Sequence, residues 1–309
     1  MPVQPFAHTY SIVARDPLSG DFGVAVQSHW FSVGSVVAWA EPGIGVIATQ
    51  SMVEISYGPL GLNLLRGGKT AEQTLQALLS TDAERELRQV AMIDAQGNVA
   101  THTGKRCVKQ AGHLVGNGFS VQANMMLNET VWTAMYEAYE TALQDPAIDL
   151  PERLLRALEA AQSCGGDLRG QQSAAIKIVS GTPRVKPWTG ILMDLRVEDN
   201  PAPVAELRRL VDIHRAYDYM NQGDEYLGKG DEANAMLAYA AAARLAPQIA
   251  EILFWNAVSL ANVGSLEEAL PIFKKVFSSE PNWREMLARL VEPGLIKNDP
   301  EMLERILKV

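Results

Sequence analysis

Cysteine is nearly missing. Cys107 and Cys164 are the two in 309 residues, too few for a disulfide framework and compatible with a reducing, cytoplasmic setting. Neither has a metal partner at ligand spacing. The five histidines (His8, His29, His102, His113, His214) are scattered, with no HxxxH or Cys/His cluster, so no metal and no other cofactor is expected. Positive charge is also short. A net charge of −9 argues against non-specific nucleic-acid binding, which runs on surplus Lys and Arg. No run of about 18 apolar residues is present to span a membrane. The start, MPVQPFAH, lacks the charged and apolar regions of a signal peptide. What is there is 47% hydrophobic and 20% charged, a globular composition. The length suggests two domains.

Residues 9–28 read TYSIVARDPLSGDFGVAVQS. Two β-branched runs, Tyr10–Ala14 and Phe22–Val26, flank turn residues Asp16-Pro17-Leu18-Ser19-Gly20-Asp21, so the stretch reads as a β-hairpin. Thr9 heads its first strand. One reading is that Thr9 is a β-former at a strand start. The other is chemical: if the chain were cut before Thr9, its hydroxyl would be a nucleophile and its own α-amine the base.

Further on, Ile44–Gln50 reads as a strand. A helix follows with Pro59 at its first position and Gly67-Gly68 at its end. The next helix opens on a capping-box spacing, Thr70 and Gln73. Gln89–Ile93 and Val99–Thr103 flank the turn DAQGN, and His113–Val115 and Phe119–Met126 make a similar pair. Helical spacing predicts helices over Thr130–Leu143 and Pro151–Gln162, before strands at Ser173–Val179 and Gly190–Val197. Hairpins in succession, with helices between them, predict an antiparallel α+β arrangement rather than a doubly wound parallel sheet. Residues 199–205, DNPAPVA, read as a linker between a first domain of residues 1–198 and a helical domain of residues 206–309.

Polar residues gather in a few places. In GGDLRGQQSAA (165–175), Gly165 and Gly166 would let backbone N–H groups approach a ligand, with Asp167, Arg169, Gln171 and Gln172 close by. The same stretch also reads as a helix C-cap with an Asp167–Arg169 pair fixing a loop. Gln122 and Asn124 share a strand face by the period of two. Ala48-Thr49-Gln50-Ser51 and Val26-Gln27-Ser28-His29 are further polar strand ends. Ser28 and His29 are adjacent on a strand and point to opposite faces, so they do not make a hydrolase pair, and no G-x-S-x-G elbow is present.

In the last hundred residues, Gly230 and Gly264, Ala235 and Ala269, Tyr239 and Phe273, and Pro247 and Pro281 each lie 34 apart. That period resembles the tetratricopeptide repeat, with repeats at Ala216–Ile249 and Ala250–Trp283, turns at Leu227–Asp231 and Asn262–Leu266, and capping segments at 202–215 and 284–309. Such helices bind a peptide or protein partner, or serve dimerisation.

Taken together, TYSIVARDPLSGDFGVAVQSHWFSVG, GIGVIATQS, YGPLGLNLL, VAMIDAQGNVATHTG, GNGFSVQANMM and GGDLRGQQSAA resemble the domain-of-unknown-function family 1028, covering residues 9–198. The resemblance implies an N-terminal-nucleophile (Ntn) hydrolase-like fold: a four-layer αββα sandwich of two antiparallel sheets between helices. It places Thr9 as nucleophile and puts Gln27 and Ser28 beside it. Gly165 and Gly166 then fall at an oxyanion, with Asp167 and Arg169 positioning substrate and Thr49, Gln50, Asn124 and Gln172 as further polar contacts. Some members carry a C-terminal peptidoglycan-binding segment where residues 206–309 fall. In one respect the chain departs from the pattern, in which Thr follows the initiator Met; here the eight residues MPVQPFAH precede Thr9.

Two functions follow as expectations. In the first, cleavage between His8 and Thr9 makes an amidohydrolase for a small amide or peptide, with Arg169 favouring a carboxylate-bearing one; a variant uses an internal Ser28 or Thr9 hydroxyl with a separate base. In the second, the chain is a non-catalytic binding protein for a small ligand, a protein or peptidoglycan. A homodimer is the default expectation in either case.

Overall fold

The computed structural model describes the backbone of residues 6 and 7, and residues 9–309; the other leader positions, 1–5 and 8, lie outside the described residues. In chain order the elements are β1 (Phe6–Ala7), β2 (Thr9–Arg15), β3 (Phe22–Ser28), β4 (Ala38–Glu41), β5 (Gly45–Met52), α1 (Tyr57–Arg66), α2 (Ala71–Thr81), β6 (Arg88–Asp94), β7 (Val99–Thr103), β8 (Gly112–Gly116), β9 (Phe119–Ala123), α3 (Val131–Leu143), α4 (Leu150–Ser163), β10 (Ser173–Val179) and β11 (Ile191–Val197). One sheet runs β1-β5-β6-β7, with β4 also on β5; the other runs β11-β10-β3-β2-β9-β8. The pairings are antiparallel, as hairpin connections require.

The period-two alternation of strand side chains explains the layers. Val13, Val24, Val26, Val46, Ala48, Ala91 and Ile93 point into one cluster between the two sheets. The alternate residues Ile47, Val90 and Met92 pack outward against Leu62, Leu65, Leu75 and Leu78 of α1 and α2. On the far face of the second sheet, the Phe119 and Tyr139 rings meet at 4.5 Å, joining β9 to α3. A Cβ at Gly23 would lie 2.6 Å from Leu154 Cδ1, so β3 and α4 approach closely there. The result is helices, sheet, sheet, helices: the αββα sandwich anticipated above.

Local signals hold well. Thr70 and Gln73 form the capping box at α2. Pro59 sits two residues inside α1 rather than at its start, which the helix tolerates because the first four N–H groups have no intrahelical acceptor to lose. Two features were not anticipated. The short β1 pairs Phe6 with Met52 and Ala7 with Ser51 on the first sheet, whereas β2 belongs to the second. The helix expected over 202–215 and the one expected from Ala216 are a single helix, α5 (Pro203–Gly228); no Gly or Pro interrupts its interior before Gly223.

The chain divides into two compact units, the first ending at Arg209 and the second Leu210–Val309; the division falls within α5. In the second unit, α6 (Glu232–Leu245), α7 (Ala250–Asn262), α8 (Leu266–Ser279), α9 (Asn282–Arg289) and α10 (Pro300–Leu307) follow. Ala235, Ala269 and Phe273 are fully buried. A Cβ at Gly223 would come within 2.8 Å of the Tyr239 ring, so a small residue there lets α5 and α6 meet. Among the described residues no helix is long and apolar enough to cross a membrane.

Candidate active site

Thr9 is fully buried at the head of β2. It lies opposite Ser28, which in turn lies opposite Ser173 on β10. Directly opposed residues share a face, so three hydroxyl side chains form a row across β2, β3 and β10. Ser11, two residues on, reaches across the seam to Gln50 of the other sheet. By the same alternation Thr9 and Ser28 face the space between the sheets.

The Thr9 carbonyl is held from three sides. It accepts from Asn124 N at 3.0 Å, from Asn124 Nδ2 at 3.4 Å and from Gln50 Nε2 at 3.3 Å. Both side-chain amides are themselves positioned by Gln89, whose Oε1 accepts from Gln50 Nε2 at 2.7 Å and Asn124 Nδ2 at 2.9 Å. Gln89 Nε2 shares its two protons among Thr103 Oγ1, Gly112 O and Ala123 O, at 3.0, 3.1 and 2.9 Å. Gln50 Oε1 accepts from Ser11 Oγ, which accepts from Gln122 Nε2, and Gln122 Oε1 accepts from Ser120 Oγ. Thr103 Oγ1 lies 2.8 Å from His113 Nδ1. Burying an amide costs free energy, and pairing of this kind offsets that cost. Burial pushes the half-buried His113 imidazole below its ordinary range, with nearby His102 adding to the effect.

Thr9, Ser28, Gln50 and Asn124 are therefore brought together. Other candidates are not. Gln27 lies opposite Tyr10 and so faces the helix layer, away from Thr9; its amide is fully buried and neither end has a hydrogen-bond partner. Thr49 alternates with Gln50 and points to the other side of its sheet, where its hydroxyl donates to Glu54 O at 3.3 Å. The N–H groups of Gly165 and Gly166 donate to Gln162 O and Ala161 O, capping α4. That departs from the oxyanion role, because a donor already engaged in a cap is not aimed at a ligand.

Asp167 organises the loop that follows. Its fully buried carboxylate accepts from Arg169 N and Nε, from Arg169 Nη2 at 2.7 Å and from the His29 N–H at 3.3 Å. The loop is pinned to the strand end after Asn124 by Leu127 N to Gly166 O and Leu168 N to Met125 O. The fork of Arg169 thus faces Asp167, which is the strut arrangement weighed above, rather than a substrate carboxylate. Gln172 N closes on Ser28 O, while its side chain turns to Asp199. Tyr10 donates to Gln162 Oε1; burial holds its phenol well above the usual range, and Asp167 adds to this. Burial likewise raises the Cys107 thiol, against hydrogen bonds that lower it.

Gln89, Ser11, Ser120 and Thr103 were not among the candidates the sequence offered, and His113 was read there only as one of five scattered histidines. A signal was present: Ser120, Gln122 and Asn124 are polar at alternate positions of a strand whose other residues are apolar, and Gln89 heads an apolar run. Among the described residues no group of three His, Cys, Asp or Glu is placed to hold a metal ion.

Two facing antiparallel sheets between helix pairs, with a threonine at the head of a central strand, define a four-layer αββα sandwich. A family model described as "Family of unknown function (DUF1028)" matches residues 9–207, and the chain belongs to that family. It is similar to the crystal structure of protein SPO2555 from Silicibacter pomeroyi, of the DUF1028 family model, at 29% identity and TM-score 0.58, over 66% of this chain and 88% of that one. A slighter likeness, 14% identity and TM-score 0.34 over 56% of this chain and 99% of the other, is to eukaryotic HslV from Trypanosoma brucei. No curated protein matches the chain.

Proposed function

We propose that the sandwich is an Ntn-type amidohydrolase acting on a small amide or peptide, with Thr9 as its nucleophile. The observation that carries this reading is the three-donor grip on the Thr9 carbonyl by Gln50 and Asn124, which fixes the backbone of a residue whose side chain faces the seam beside Ser28. Hydrolysis of the His8–Thr9 peptide bond frees the α-amine. The Thr9 hydroxyl then adds to the substrate carbonyl carbon as its proton passes to that amine. Collapse breaks the C–N bond, the proton goes to the departing amine, and water hydrolyses the resulting Thr9 ester. An α-amine of pKa roughly 7.7–8.0 is suited to this exchange near neutral pH. Ser28, opposite Thr9, polarises or orients the hydroxyl. Asp167 and Arg169 act on this site by bracing the loop against the strand end. The helices from residue 206 onward are read as tetratricopeptide-like pairs that hold a protein or peptidoglycan partner or join two copies; buried small residues at the repeat positions Ala235 and Ala269 support this.

Intact mass of the purified protein tests the reading. A species beginning at Thr9, with amide hydrolysis that Thr9→Ala abolishes, is the expected result. An unprocessed chain that turns over a broad amide panel no better than Thr9→Ala would leave the non-catalytic binding reading in its place. Unchanged turnover in Ser28→Ala would remove Ser28 from the site.

A further inference from the structure

We propose that Gln89 is the positioning residue for Thr9, acting through the two amides that grip its carbonyl. Its role in hydrolysis rests on the reading of Thr9 given above; its effect on Thr9 geometry does not. The hydrogen-bond pattern leaves little choice. An oxygen that accepts from both Gln50 Nε2 and Asn124 Nδ2 forces each amide to present its NH2 rather than its carbonyl; the second proton of Asn124 reaches Thr9 O, and that of Gln50 is shared between Thr9 O and Gln122 O. A flipped amide would set oxygen against oxygen in a fully buried space. Gln89 is kept from flipping in turn, because its own NH2 meets three oxygens. Those oxygens belong to β7, β8 and β9, so one side chain ties both sheets to the orientation of the Thr9 peptide. Removing the Gln89 oxygen releases the constraint on both amides while leaving them in place.

The test uses the one Thr-Tyr pair in the sequence, Thr9-Tyr10. Labelling Thr at its carbonyl carbon (13C) and Tyr at its amide nitrogen (15N) gives the intact full-length chain a single carbonyl–nitrogen correlation, which reports on the Thr9 carbonyl. Gln89→Glu keeps an acceptor toward Gln50 and Asn124 and, with its buried carboxyl held neutral, one O–H donor toward the oxygens of Thr103, Gly112 and Ala123; Gln89→Met loses both. The expected result is an upfield move of the Thr9 carbonyl resonance in Gln89→Met as hydrogen bonds to it are lost, with the wild-type position retained in Gln89→Glu, whatever the melting temperatures of the two. A resonance unmoved in folded Gln89→Met, or moved equally in both variants, overturns the proposal. Should Gln89→Met not fold, Gln89→Asn, whose shorter side chain draws the oxygen back from both amides, takes its place. The same upfield move is expected there, and an unmoved resonance overturns the proposal. Intact mass supplies a separate readout: misplacing Thr9 by about 1 Å should slow appearance of the Thr9-started chain by about 100-fold in Gln89→Met. A wild-type chain that never starts at Thr9 removes the proposed function, and the resonance still decides for or against Gln89.

Discussion

Replacing Asp16 by Asn isolates the cost of one buried charge. Asp16 closes the first hairpin: its Oδ1 accepts from Leu18 N at 2.7 Å and Ser19 N at 3.0 Å, and its Oδ2 meets Arg153 Nη1 of α4 at 2.9 Å. Both partners are nearly inaccessible, at 2% and 8% side-chain exposure for Arg153 and Asp16, and Arg153 Nε has no partner. Asn keeps the shape and an oxygen for the turn N–H groups, so the turn survives while the guanidinium loses its counter-charge. Leaving one member of a buried pair uncompensated costs about 3–5 kcal/mol, a large part of the roughly 5–15 kcal/mol by which domains are stable. Removing the charge as well, in Asp16→Asn with Arg153→Met, should recover most of that loss, because no uncompensated charge then remains buried. Urea unfolding of the full chain, followed by tryptophan fluorescence, measures both variants. A loss below about 1 kcal/mol in Asp16→Asn, or a double variant no more stable than the single one, would refute this account. The site should be unmoved, since Asp16 and Arg153 sit on the helix side of the sheet.

Gln27→Met should raise stability by about 1–3 kcal/mol, because an amide buried with no partner forfeits its desolvation cost; a loss of similar size in the same urea titration would show that the amide has a bound partner in solution. Burial pushes the Asp82 carboxyl up, but hydrogen bonds from Arg88, the Glu84 N–H and Tyr57 outweigh it and hold it below the ordinary range. Its contribution is therefore complete above about pH 3.9 and is lost as pH falls through the folded value; Asp82→Asn should flatten the acid limb of stability there, and an unchanged limb counts against the pairing. His113, lowered mainly by burial, stabilises the fold above about pH 6.5, and that contribution fades as pH falls toward its folded value. An imidazole titration should place its midpoint below that of free histidine, and a midpoint above it contradicts the buried network.

Much of the framework was legible because its signals are local. The Thr70–Gln73 cap, the turn at 94–98 and the strand at Ser173–Val179 each depend on residues within a few positions, and the antiparallel αββα layering follows from consecutive hairpins with two helix pairs between them. Thr9, Ser28, Gln50 and Asn124 were also picked out, as polar residues at strand ends. Gln27 and Thr49 were not separated from them, since which of two adjacent strand residues faces the seam depends on which face the other sheet covers. Gly165 and Gly166 looked like ligand-facing glycines because a helix cap and an anion cradle use the same residue type.

By itself, the sequence determined most of the elements of the sandwich, their order and the threonine at the head of a strand. Only the tertiary structure decided what surrounds that threonine. Gln89 meets Gln50 and Asn124 across 39 and 35 positions of chain, and Ser11 meets Gln122 across 111. Such pairings are set by the register of two sheets laid face to face. A glutamine buried between them looks, in the sequence, like any other polar residue at the head of a strand.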